Sequence, residues 1–167
     1  MFELKLLSAA AIPGALALAE RYRLLNEPAE AESICLDVLR VDPENEEALV
    51  TMLLALTDQF VDGSASRMMA AAEGAARRLR DEYRKLYYSG LIRERRAKAH
   101  LRAERPGMRA HVRDWLGEAM SFYERAEAIR PEAHDEALLR WNACARVLMT
   151  LPAQEPDTQD WEAVQSE

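Results

Sequence analysis

The chain is short of the residues that staple or punctuate a fold. Two cysteines in 167 residues, Cys35 and Cys144, exclude a disulfide scaffold, and no pair has metal-ligand spacing. Six glycines form no phosphate-cradling loop and no Gly-x-Ser-x-Gly elbow. Three histidines, His100, His111 and His134, lack the two-on-one-face spacing of a helical zinc site, and Glu-x-x-His spacing is absent. Aromatic residues stop at 7%. No apolar run reaches the roughly 18 residues of a membrane span. Together these absences argue against a metal site, a cofactor, a membrane segment and catalysis.

What is present is helical vocabulary. Hydrophobic residues make up 49% and charged residues 31%, a globular composition, and 29 alanines are joined mainly by Leu, Glu and Arg. The length suits one domain, expected over 1–151, with an acidic tail over 152–167 whose one large apolar residue is Trp161. Leu6 to Ala19 has a faint signal-peptide character. Glu3 beside Lys5, and Pro13-Gly14 inside the stretch, favour a helix and a cytoplasmic chain instead.

Periodicity places the helices. Pro13 suits a helix start, and Ala15, Leu18, Ala19 and Tyr22 recur at three- and four-residue steps. Pro28 opens a second helix through Ala31, Ile34, Cys35, Val38 and Leu39, closed by Asp42-Pro43. A third runs from about Glu46 with Leu49, Met52, Leu53 and Leu56. Asp62-Gly63-Ser64 breaks it, with Ser64 or Ser66 as cap, and a fourth spans Ala65 to Leu79. Two long helices, about 81–104 and 108–130, meet at Pro106-Gly107. One carries Leu86, Gly90, Ala97 and Leu101, the other Met108, Val112, Trp115, Ala119, Tyr123 and Ala126. A last helix, about 134–150, carries Leu138, Trp141, Ala145 and Leu148. Short turns between such helices imply an all-α, antiparallel helix-pair stack.

Ala15, Leu18, Ala19, Tyr22, Ala31, Cys35, Val38 and Pro43 fall on a spacing that resembles the tetratricopeptide repeat, and Ala119, Tyr123, Ala126 and Pro131 repeat its second half. Pro43 and Pro131 lie 88 residues apart, 20 more than two repeats of that family require. The surplus falls between Asp81 and Pro131, so a long helical hairpin is expected, projecting by roughly 15 Å at 1.5 Å per residue.

Charge is segregated along the chain. The net −7 comprises 4 basic and 12 acidic residues over 1–66, 14 and 5 over 67–113, and 4 and 12 over 114–167. The basic block includes Arg93, Arg95, Arg96, Lys98, Arg102, Arg105, Arg109 and Arg113, expected near the hairpin tip. It reads either as a solvated face paired with Glu94, Glu104 and Asp114, or as a surface for an acidic partner. Nucleic acid fits poorly, because the pI is 5.1 and no aromatic residue lies within Ile92–Asp114 to stack on bases.

The resemblance implies a curved array whose inner face is lined by the first helix of each repeat. Carried over to this sequence, the inward positions are Leu16, Ala17, Glu20, Arg23 and Leu24, then Glu47, Val50, Thr51, Leu54 and Asp58. Leu16 and Glu20 stand where some members of that family hold a basic residue and an asparagine that clamp a C-terminal carboxylate, so carboxylate-terminus recognition is not expected. The expectation is a non-catalytic protein-interaction scaffold that binds a peptide or amphipathic helix in this groove, with homo-oligomer formation also open. The alternative is an anion, small-molecule or nucleic-acid binder using the basic hairpin 93–113.

Overall fold

A computed structural model describes residues 2–60, 65–103 and 109–152; within these, nothing is stated of the side chains at 65, 66, 109 and 110. The turn at Asp62-Gly63-Ser64, the proposed caps Ser64 and Ser66, the Pro106-Gly107 junction, Arg105 and nearly all of the acidic tail lie outside that description, as does the side chain of Arg109. Among the described residues the chain is helical, without a strand.

Local chemistry accounts for the boundaries. After a 3-10 turn at Ala9–Ala11, α1 runs Ile12–Leu24 with Pro13 in its first turn, and α2 runs Pro28–Val41 with Pro28 at its start. Asn45 caps α3, Glu46–Asp58, its side chain accepting the Ala48 amide at 2.9 Å. Helix α4 spans Ala65–Arg78. Asp81 caps α5, Glu82–Arg102, by accepting the Arg84 amide at 2.7 Å. Helices α6, Arg109–Ala128, and α7, Glu136–Thr150, complete the chain. The long pair is present: α5 has 21 residues and α6 has 20, against 13 or 14 in each of the first four helices.

Consecutive helices pack as antiparallel neighbours, and α1, α3, α5 and α7 also touch in that order, forming an inner row. One core joins α1 to α4 around Leu49, Leu53, Leu56 and Phe60 and reaches Ile92 of α5. A second fills α5 to α7 around Leu116, Ala119, Tyr123 and Cys144. Gly90 lets α6 approach closely: a Cβ there would lie 2.8 Å from Cε1 of Tyr123 and 3.1 Å from the Ala119 carbonyl oxygen.

Two expectations need correction. Leu16 is not a groove residue. It is buried with Val38 and Ala48, under Leu7 and Ile12, while Leu18 from the expected apolar stripe is 40% exposed. The N-terminal segment supplies Leu7, a contact that helical periodicity could not register, while Ala15, Ala19 and Tyr22 of the expected stripe pack inward. Nor are the arginines of the long pair all solvated or paired with the sequence-local acids expected. Arg96 lies over the Trp115 ring at 3.9 Å with Met69 of α4 beside it, and Arg113 donates to the Leu151 and Pro152 carbonyls after α7. Residues of α4 and of the segment after α7 thus hold two of the block's arginines against the long pair.

Candidate functional site

The inner row encloses an open cleft of about 490 Å³, lined from α1, α3, α5, α7 and the turn after α1. Arg23, Arg95, Lys98, Arg102 and Arg140 face it, against two carboxylates, Asp58 and Glu94; Leu24, Asn26 and Thr57 complete the lining. Its formal charge is +3, opposite in sign to the chain as a whole. Low-dielectric walls focus such a field into the cleft.

Hydrogen bonds fix these groups. Arg23 Nε donates to Asp58 Oδ2 at 2.9 Å, while Arg95 donates to the other Asp58 oxygen, to Thr57 Oγ1 at 2.7 Å and to the Leu54 carbonyl at 3.3 Å. Burial pushes the Arg95 guanidinium below its ordinary value, partly offset by Asp58, yet it stays cationic at neutral pH. Deeper lies Glu94, fully buried. Its Oε2 accepts the Tyr123 hydroxyl at 2.6 Å, and its Oε1 accepts Lys98 Nζ at 2.5 Å and Arg140 Nη1 at 3.4 Å. Burial works against the charge on Arg140, but its hydrogen bond with Tyr87 and the Glu94 carboxylate outweigh that and leave its pKa raised. Glu94 therefore tethers Lys98 and Arg140 at the cleft floor and offsets part of their charge.

The cleft merges two sets of residues that the sequence kept apart. Arg23, Leu24 and Asp58 come from the expected groove, and Arg95, Lys98 and Arg102 from the expected basic surface. Glu20 is exposed on α1, and Val50, Thr51 and Leu54 are half-buried on α3, where Val50 and Leu54 pack against the first core. Three other basic residues of the expected surface lie outside the cleft. Arg93 bonds Glu118 at 3.2 Å and Glu73 at 3.4 Å over the Phe122 ring, and Arg96 and Arg113 take the contacts described above. The acidic partners across the basic block, Asp58 for Arg95 and Glu73 and Glu118 for Arg93, differ from the sequence-local ones expected, apart from Glu94 for Lys98.

Glu94 and Arg140 were missed as site residues. The signal for Glu94 was present: it stands four residues after Gly90 and three before Ala97, a carboxylate in an otherwise apolar stripe. Arg140 carries no such mark, since only α7 packing on α5 brings it to Glu94.

Other chemistry is sparse. A second hollow of about 340 Å³ between α6 and α7 holds Trp141, whose indole N–H donates to Glu124 at 2.9 Å. His100 and His111 both flank the Trp115 ring, and the described residues contain no cluster of three or more metal-ligating side chains. Burial pushes the Cys35 and Cys144 thiols up to about 12, so neither is a thiolate nucleophile at neutral pH. Among the described residues no helix is long and apolar enough to cross a membrane. Comparisons with known protein families, characterised proteins and solved structures return no match.

Proposed function

We propose that this chain is a non-catalytic interaction module, of the tetratricopeptide-repeat kind its helix spacing resembles, that captures a segment of another protein on its inner face. One observation carries the reading: four inner helices contribute to one open cleft whose +3 charge opposes the net −7 of the chain. Charge complementarity of this sort steers encounter and selects partners. Leu24, 81% exposed, and Asn26 at the rim offer apolar and hydrogen-bonding contacts beside the cations. The reduced, buried cysteines fit the cytoplasmic location expected from the sequence.

Affinity capture with the immobilised chain tests this. Proteins held by the wild type are expected to be lost from a Leu24→Asp/Arg102→Glu variant and kept by Arg77→Gln, a change on α4 away from the cleft. Identical capture by all three would overturn the reading.

A further inference from the structure

We infer that the captured segment is acidic, its carboxylate side chains docking at two cationic stations built around the chain's own Asp58 and Glu94. The inference rests on the inner face being the working surface. At the first station Arg23 of α1 and Arg95 of α5 converge on Asp58 of α3. At the second, Lys98 and Arg140 converge on one oxygen of Glu94, whose other oxygen is occupied by the Tyr123 hydroxyl. Each station sets two cations against one carboxylate and so retains one positive charge. Arg102, exposed in the last turn of α5 and without an ion pair among the described residues, adds a third.

The chemistry of the lining selects the ligand. Guanidinium forks match planar carboxylates at two points. Asp58 and Glu94 hold the net charge of the cleft to +3, so three monoanionic carboxylates of an acidic segment neutralise it. Nucleic acid loses its usual platform, because no aromatic side chain lines the cleft. Neighbouring helix axes lie about 8–10 Å apart, so four inner helices span about 27 Å, the length of about eight extended residues.

Fluorescence anisotropy of a labelled decapeptide of alternating Glu and Gly tests the assignment on the full chain. The peptide is expected to bind at 50 mM salt, at least tenfold tighter than its Gln counterpart. Arg102→Gln should weaken it about three- to tenfold, with an unchanged helical circular dichroism signal. Arg77→Gln serves as the electrostatic control, and an equal loss there would reduce the binding to diffuse attraction and overturn the stations. Inorganic polyphosphate or a ten-residue oligothymidylate binding more tightly than the Glu peptide would overturn carboxylate selection. If the Glu peptide fails while lysate capture still depends on Leu24 and Arg102, the acidic ligand falls and the interaction module stands. If capture is also insensitive, both fall.

Discussion

Tyr123 of α6 lies with its ring edge over Gly90 of α5 and its hydroxyl on Glu94, one helical turn further along the same helix. A single side chain thus sets the spacing of the long helix pair and supplies a hydrogen bond to the carboxylate beneath the cleft. Gly90→Ala is expected to destabilise the chain by up to about 2 kcal/mol, an overpacking cost of about 1–3 kcal/mol exceeding the gain of about 1 kcal/mol in helix propensity. Urea denaturation measures it, and a rise in the midpoint would contradict the close approach.

Tyr123→Phe removes one donor from a buried carboxylate. The expected cost is about 1–3 kcal/mol, because Glu94 cannot recover that bond from water. Near-neutral stability in the variant would show that Lys98 and Arg140 suffice.

Alkaline pH should act through groups whose protons the fold retains. Burial raises Cys35 and Cys144 from 9.0 to about 12, and burial followed by the Glu94 charge pushes Tyr123 well above 10.0. The folded chain therefore binds these protons more tightly than the unfolded chain. Their contribution to stability is complete below pH 9 and diminishes as pH rises from 9 towards 12. Denaturant midpoints at pH 8, 9.5 and 11 should fall in that order, and a flat series would contradict the burial of these groups.

The Asp58 station distinguishes structural from exposed cations. Arg95→Glu would set two carboxylates against each other where the side chains are about one-quarter exposed, at 24% and 27%. A loss of about 1–3 kcal/mol is expected, against about 0.5 kcal/mol or less for Arg102→Glu. Equal effects in thermal melts would mean that Arg95 is as solvated as Arg102.

Leu16 and Leu18 of α1 give a further contrast. Leu16, 4% exposed, should lose about 2–4 kcal/mol on substitution by Ala, and Leu18, 40% exposed, under about 1 kcal/mol. The reverse order would restore Leu16 to an open groove.

The turn before α7 holds Ala133 at φ 62, a left-handed conformation unfavourable for a residue with a Cβ. Ala133→Gly is expected to raise stability by up to about 1 kcal/mol, more than Asn26→Gly at φ 61, because Asn tolerates that region. A lower melting temperature for Ala133→Gly would argue for a different turn.

Helix existence and pairing were legible in the chain because both are local. Pro13 and Pro28 start helices, Asp81 caps one, and Ala119, Tyr123 and Ala126 repeat at helical spacing, so the elements and the unusual length of α5 and α6 follow from residues close in sequence. The partners of the charges were not local. Arg95 reaches back 37 residues to Asp58, and Arg140 reaches back 46 to Glu94. A sequence divided into acidic, basic and acidic blocks reads as a basic surface, yet stacking the inner helices sets part of the basic block against the acidic residues before it. Among the described residues, that stacking leaves a cleft of net positive charge between the inner helices. Periodicity marks most of the residues that face inward, though it misplaces Leu16 and Leu18, and the stacking that brings Arg23, Arg95 and Arg140 together depends on packing between helices far apart in the chain.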